Sequence, residues 1–262
     1  MARRTIQGSR TLITGASSGI GRELAMELAR SGARLVLIAR RQEQLAEVAG
    51  QIGALGLETP RWVAGDISDP QVRAAALAEA QATFGGLDVL INNAGIGALG
   101  RFADAAPERL RRIMEVNFFA AAELIRTAIP LLRQGKQPMI VNVGSILGHR
   151  AVPRSSEYCA SKFALHGLTE SLRAELAGLG IDVLLVAPGT TATEFDAHRI
   201  ENQGGKPWPS QPGVSPAYVA RATVKAIRRG RKEIIPNPRG RMLCWLNRLS
   251  PRLVDRLMAR YG

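Results

Sequence analysis

The chain has 262 residues, is 46% hydrophobic and carries a formal net charge of +13. It can bury a sizeable core, no apolar run approaches the roughly 20 residues of a membrane span, and residues 1–10 are basic and polar with no apolar stretch behind them, so no secretory signal is read. Cys159 and Cys244 stand alone without ligand spacing, which excludes a disulfide framework or cysteine-zinc site, leaves no metal set to name, and fits a reducing cytoplasm.

Residues Arg10–Thr14 read as a first strand that ends in the turn Gly15-Ala16-Ser17-Ser18-Gly19-Ile20-Gly21. A helix over Gly19–Ser31 follows, with Leu24, Leu28 and Ala29 on one face. Strand, glycine-rich turn and helix in that order suit a dinucleotide pyrophosphate. Gly15 permits the tight turn, Gly19 the approach of backbone to phosphate, and Gly21 close packing of helix on strand. The helix start offers free N–H groups to an anion. The spacing Gly15-x3-Gly19-x-Gly21 differs from GxGxxG, and on the glycines alone a plain strand–helix turn stays open.

Arg34–Ala39 is a second strand, apolar on both faces as in a buried parallel sheet. Helix Arg41–Leu55, strand Arg61–Gly65 ending at Asp66, helix Pro70–Phe84 and strand Leu87–Ile91 follow, the last closed by Asn92-Asn93-Ala94-Gly95. A long helix is predicted over Pro107–Leu132, then strand Met139–Val143, helix Ser156–Leu179 and strand Ile181–Ala187, stopped by Pro188-Gly189. Residues 192–213 read as a mobile loop, with Gly204-Gly205, Pro207, Pro209 and Pro212. Helix Pro216–Arg229 and a last strand Glu233–Ile235 complete the pattern.

Alternating strands and helices predict an α/β fold. It is one Rossmann-like doubly wound domain over 1–236, with a parallel sheet of about seven strands and helices on both faces. Ligands bind such sheets at the carboxyl ends of the strands. Six strand ends then converge on one crevice: the Thr14 turn, the residues after Ala39, Asp66, Asn92–Gly95, Ser145 and Pro188–Thr193.

Tyr158 and Lys162 stand four apart near a helix start and share one face. An unperturbed Tyr hydroxyl titrates near 10, and a neighbouring ammonium favours phenolate, so the pair is expected to lower that value toward working pH. Such a Tyr exchanges a proton with a developing alkoxide. Taken alone, the spacing is more often that of two packed surface residues.

Together with Thr14–Gly21, Asn92–Gly95, Asn117, Ser145 and Pro188-Gly189 with Thr193, the pair resembles the short-chain dehydrogenase/reductase family in its single-domain form. The match runs over residues 10–195 and fades after the 192–213 loop. The resemblance implies Tyr158 as general acid/base, with Lys162 lowering its pKa and binding the nicotinamide ribose. It implies Ser145 bonded to the substrate carbonyl, and Asn117 holding a relay water. It places the cofactor along Gly15, Ser17, Ser18, Gly19, Ile20, Gly21, Arg40, Arg41, Asp66, Ile67, Asn93, Ala94, Gly95, Tyr158, Lys162, Pro188, Gly189, Thr191 and Thr193. Ser145, Leu147, Tyr158 and Phe195 face the substrate. Gly144 stands where a serine often precedes the catalytic one, a departure expected only to loosen the turn. The implied reaction interconverts a ketone or aldehyde and an alcohol, the cofactor carrying the hydride. A non-catalytic NADP(H) sensor and a membrane- or nucleic-acid-associated scaffold are the competing readings.

An NAD enzyme places Asp or Glu after the second strand, against the ribose 2′-hydroxyl. Here Ala39 is followed by Arg40 and Arg41. A guanidinium suits a 2′-phosphate, so NADP(H) is expected over NAD(H), with Arg40 as the phosphate ligand.

Residues 225–262 carry 11 Lys/Arg against 2 Asp/Glu, most of the excess charge. Past Ile235 two short basic amphipathic helices are predicted, the second started by Ser250-Pro251. This extension, 237–262, can cover the pocket or a subunit interface, lie on an anionic membrane, or stay solvated. No nucleic-acid-binding motif accompanies the charge. The resemblance implies a homodimer or homotetramer through helices 107–132 and 156–179. Ile96, Leu99, Leu147 and Trp208 suggest an apolar pocket, and His149 reads as a solvated loop residue.

Overall fold

The computed structural model describes residues 4–202 and 213–261. Strands β1 (Arg10–Thr14), β2 (Arg34–Ala39), β3 (Arg61–Ala64), β4 (Val89–Asn92), β5 (Met139–Val143), β6 (Asp182–Val186) and β7 (Glu233–Ile234) pair in one sheet. The order is β3-β2-β1-β4-β5-β6-β7 and every pairing is parallel. Burial on both faces explains the continuous apolar runs of β2 and β5. The sheet order reverses between β1 and β4, where doubly wound sheets open a ligand crevice.

Helices α1 (Gly19–Arg30), α2 (Gln42–Ala54) and α7 (Pro216–Arg228) cover one face, burying Leu24, Leu45, Ile52 and Ile227. The other face is covered by α3 (Pro70–Phe84), α4 (Pro107–Met114), α5 (Ala120–Leu132) and α6 (Ser156–Glu175), burying Leu77, Ile113, Leu124 and, just past the end of α6, Leu176. Each fully buried Leu or Ile contributes about 1.5–3 kcal/mol relative to leaving it exposed.

The predicted helix 107–132 is continuous but not uniform. Residues Glu115–Phe119 form a π-helical turn, with Ala120 N–H donating to Glu115 O. That wider turn carries Asn117, and such insertions recur at functional sites. Helix α6 stops at Glu175, and a short turn Ala177–Leu179 ends on Gly180 at φ 69°, a left-handed stop that glycine supplies at little cost. Predicted residues 203–212, including Trp208 and the Gly/Pro run, lie outside the described residues. The described ends of that loop are tacked down by bridges Thr191–Val214 and Leu99–Asn202.

The C-terminal extension forms α8 (Pro238–Leu249) and α9 (Pro251–Met258). Asn237 caps α8, its Oδ1 accepting from Arg239 N at 3.0 Å and Gly240 N at 3.3 Å. Ser250 does precede α9, but its side chain makes no capping bond. Among the described residues no helix is long and apolar enough to cross a membrane.

Candidate active site

The strand ends open into one crevice of about 960 Å³, whose walls include Gly15, Arg40, Asp66, Asn93, Ser145 and Pro188 from β1 to β6. At its floor, Gly15 and Gly19 take φ of +66° and +54°, left-handed values that favour glycine. A Cβ on Gly21 would sit 2.1 Å from Gly15 O and 2.5 Å from Asn93 Nδ2. Gly21 is therefore not on the crevice wall; it lets α1 close onto the turn. Thr14 Oγ1 accepts from Asn93 N (2.9 Å) and Ala94 N (3.0 Å), and Asn93 Nδ2 donates to Thr14 O (3.0 Å). These bonds lock the β1 and β4 turns into one cradle. Ser18, the cap of α1, makes no side-chain capping bond, so the first N–H groups of α1 keep the anion-binding capacity of a helix start. Ser17, Ser18, Ile20, Ile67, Ala94 and Gly95 line the same cradle, and Gly189, Thr191 and Thr193 form the opposite lip.

The two arginines after β2 are not equivalent. Arg41 Nη2 donates to Ser18 Oγ at 2.7 Å and Arg41 Nη1 lies 3.3 Å from Glu194 Oε2. Arg40 is exposed on the crevice wall and has no ion pair or hydrogen bond among the described residues. Asp66 is engaged by Ser68 N (2.9 Å), Ser68 Oγ (2.7 Å) and Arg112 Nη2 (2.5 Å). Burial pushes its carboxyl up, but these donors outweigh it and hold Asp66 below its ordinary value.

Ser145, Tyr158 and Lys162 meet on the crevice wall. Ser145 opens a short turn, Ile146–Gly148, its Oγ accepting from Leu147 N at 3.1 Å, and its side chain is near enough to Tyr158 to oppose the upward push of burial on that phenol. Lys162, one turn beyond Tyr158 on α6, donates to Val143 O at 3.1 Å and lies 5.6 Å from the centre of the Tyr158 ring. The expected lowering of the Tyr158 pKa is not what the geometry gives. Burial pushes the Tyr158 phenol up, Ser145 only partly offsets this, and burial pulls the Lys162 amine down to about 8. Burial disfavours the charged form of both groups, and at this separation it outweighs their attraction.

Asn117 is buried behind the crevice rather than on it. Its Oδ1 accepts from Ile96 N (2.8 Å), and its Nδ2 donates to Ile96 O (2.9 Å) and Ser161 Oγ (2.9 Å). The side chain pins the β4 turn to α6, both of its amide hydrogens being donated. A Cβ on Gly95 would lie 3.3 Å from Asn117 Oδ1 and 3.5 Å from Lys162 Nζ, so glycine lets both approach. At Gly144 a Cβ would meet Leu185 Cδ1 at 3.1 Å. The glycine before Ser145 is thus a packing match to Leu185 rather than a loosened turn.

At the apolar end of the crevice, the Phe195 ring lies tilted at 5.5 Å from the Tyr158 ring and presses on Gly97, where a Cβ would stand 2.9 Å from Phe195 Cε1. Ile96, Leu99 and Leu147 line this end, as do Met242, Leu243 and Leu246 of α8 and Leu257 of α9. The extension is seated by Gly240, where a Cβ would be 2.9 Å from Ile146 Cγ2, and by Arg150, whose Nη2 donates to Asp255 at 2.7 Å. His149 is not solvated. It is largely buried beside Glu233 and His166, off the crevice wall.

Two features escaped the sequence. Arg109 of α4 forms a buried ion pair at 2.6 Å with Glu157, the residue before Tyr158; both side chains are almost inaccessible. Arg112 of the same helix reaches Asp66. These partners are more than forty residues apart, with no local spacing to betray them. The tail helices as pocket wall were one of several open readings, because amphipathicity alone does not name what a helix covers.

The short chain dehydrogenase family profile matches residues 9–204. Dehydrogenase/reductase SDR family member 7B of Bos taurus is 34% identical over 267 residues, which span 98% of this chain and 82% of that protein. A short chain dehydrogenase/reductase from Burkholderia phymatum in complex with NAD superposes with a TM-score of 0.86 at 27% identity, covering 95% of this chain and 96% of that one. A short chain dehydrogenase from Burkholderia cenocepacia J2315 in complex with NADP gives a TM-score of 0.82 at 27% identity, covering 97% and 99%.

Proposed function

The chain belongs to the short-chain dehydrogenase family of oxidoreductases, and from that premise we propose that it reduces a hydrophobic ketone or aldehyde to an alcohol with NADPH, reversibly, using Tyr158 as general acid/base. The observation that carries this reading is the Ser145–Tyr158 hydroxyl pair with Lys162 one turn below it, at the meeting point of the glycine cradle and the apolar end of one crevice. The cradle fits a dinucleotide: its glycines stand where side chains would collide, and its helix start is uncapped. When bound, a reduced nicotinamide supplies hydride.

The chain's own residues handle the oxygen. Ser145 and Tyr158 present two hydroxyls to one carbonyl oxygen and stabilise the alkoxide as charge develops. Tyr158, held protonated by burial, is in the right state to give its Oη proton to that oxygen. The phenolate left behind sits beside Lys162, whose ammonium stabilises it until a proton returns. In the oxidative direction the same proton returns to Tyr158. Arg40, exposed and with no partner among the described residues, supports selection of the 2′-phosphate. Phe195, Leu147 and the tail helices favour an apolar substrate. The test is NADPH consumption over hydrophobic ketones, aldehydes and 3-oxoacyl compounds. Tyr158→Phe is expected to lower kcat by about 10²–10⁴-fold with cofactor affinity kept. Equal turnover in the variant would remove Tyr158 from the role.

The outer surface of the extension favours a second element of this reading. Trp245 is 60% exposed and Leu249 74%, beside Leu253, with Arg248, Arg252 and Arg256 interleaved. Apolar residues among arginines suit an anionic membrane surface. On this reading a cytoplasmic enzyme rests its tail, the wall of its pocket, on the membrane. Co-sedimentation with anionic but not neutral vesicles, lost in Trp245→Ser/Leu249→Ser, tests it. Exposed Leu110, Phe119 and Phe163 on α4–α5 and α6 favour a homodimer or homotetramer through those helices. Sedimentation velocity would show a monomer if they do not pair.

A further inference from the structure

We propose a divalent-cation site of the zinc type formed by His149, His166 and Glu233, outside the crevice and independent of the reaction proposed above. One nitrogen or oxygen from each residue lies within 4.8 Å of the other two. The three come from separate elements. His149 ends the turn that Ser145 begins, His166 is one turn beyond Lys162 on α6, and Glu233 opens β7. No sequence spacing announces them; the fold assembles them.

The second observation is an unmet demand. The His149 side chain is only 8% exposed, and its Nε2 stands 2.9 Å from Glu233 Oε1. The contact is close enough for an ion pair but lacks the alignment of a hydrogen bond, and neither atom has a hydrogen-bond partner among the described residues. A buried imidazole nitrogen and a buried carboxylate oxygen brought to such a distance are placed as neighbouring ligands of one ion are. Ligands at about 2.1 Å from a tetrahedral zinc stand on the order of 3 Å apart.

His166 is oriented as a ligand would be. Its Nδ1 lies 3.2 Å from Gly148 O. An Nδ1–H donating there leaves Nε2 with a bare lone pair, the tautomer that metal-binding histidines adopt when a carbonyl holds the other nitrogen. The two rings meet edge to face at 4.4 Å. Glu170, one turn further along α6, approaches His166 Nε2 at 3.5 Å and is exposed, so it or water completes a fourth position. Two imidazoles and a carboxylate suit zinc better than magnesium or calcium.

None of the three residues lines the crevice, so the ion would act by position. It would tie the Ser145 turn, the Lys162 helix and the last strand together. Arg150, next to His149, also holds Asn247 and Asp255 of the extension. An ion here therefore steadies both the catalytic turn and the tail.

The experiment uses the full chain, stripped with a chelator and titrated first with Co²⁺ and then with Zn²⁺. The expected result is one Co²⁺ per chain with visible d–d absorption of a four-coordinate site, displaced by Zn²⁺, and a Zn²⁺-dependent rise in the thermal midpoint. Glu233→Gln, His166→Gln and His149→Gln should each weaken binding at least tenfold, with far-UV circular dichroism confirming their fold. No d–d absorption in the unaltered protein would reduce the cluster to an ion pair and overturn the proposal without any variant. Absorption that persists undiminished in all three folded variants would overturn it too, by placing the cobalt elsewhere.

Discussion

Replacing Arg40 tests the cofactor assignment most directly. Its guanidinium is exposed at the end of β2 with no partner among the described residues, so truncation strands no buried group. The loss is then that of a charged hydrogen bond to the 2′-phosphate, about 1.5–3 kcal/mol. At 1.4 kcal/mol per tenfold, Arg40→Ala should weaken NADPH by about 10- to 150-fold. NADH has no charge at that position and should move by less than about threefold. Arg40→Asp adds repulsion on the order of 1 kcal/mol in this solvated setting, a further few-fold against NADPH only. Raising the ionic strength should shrink the preference. Fluorescence titration of both cofactors against the three proteins measures all of this. Parallel losses for NADPH and NADH would refute the reasoning and move the phosphate contact to Arg41, which Ser18 and Glu194 already occupy.

Gly21→Ala forces a methyl to within 2.1 Å of Gly15 O; overpacking of about 1–3 kcal/mol or more should lower Tm by several degrees and weaken both cofactors alike. Scanning fluorimetry with and without cofactor separates the two effects. Arg109→Ala strands the buried Glu157 carboxylate, for an expected loss of about 3–5 kcal/mol in denaturant unfolding; Arg109→Met with Glu157→Gln should recover much of it. For Lys162, burial lowers the folded value to about 8 from 10.5, so the unfolded chain holds more protons between those limits and stability rises with pH across that window. The penalty is fully present below pH 8, on the order of 3 kcal/mol, and gone above about 10.5. Cofactor-free Lys162→Met should therefore be the more stable protein at pH 7 and lose that advantage by pH 10.5, as compared in paired denaturant titrations.

Much of the fold was legible because parallel α/β structure is written locally. The runs of β2 and β5 and the stripes of α1 and α2 fell within one or two residues of their observed limits, since apolar periodicity decides both. The cradle was legible because its demands are steric and glycine alone meets them. The π turn at Glu115–Phe119 was not, because a one-residue change of helical period leaves the same apolar face. The Arg109–Glu157 pair, the seating of α8 on Ile146 and the His149–His166–Glu233 cluster were not, because each joins residues distant in sequence. The state of Tyr158 was misjudged for a different reason: spacing shows who the neighbours are but not how buried the site is.

The burial of Lys162 is itself an argument about function. Several charged groups are buried in this protein. Asp88 is held by Arg10 at 2.6 Å and by Lys136 N at 2.6 Å; Arg109 and Glu157 hold each other. Arg73 meets Ile67 O at 2.7 Å, away from the crevice wall. Among the described residues Lys162 has one carbonyl and no carboxylate within reach, and burial alone moves it. A stability of about 5–15 kcal/mol leaves little room for a penalty on the order of 3 kcal/mol that a methionine would avoid. Packing has no use for an amine there: the neighbours are the Tyr158 ring, Val143 O and the space above Gly95. A group that weakens the fold and faces the crevice beside a tyrosine held protonated is what a proton-transfer site requires and what a structural lysine would not tolerate.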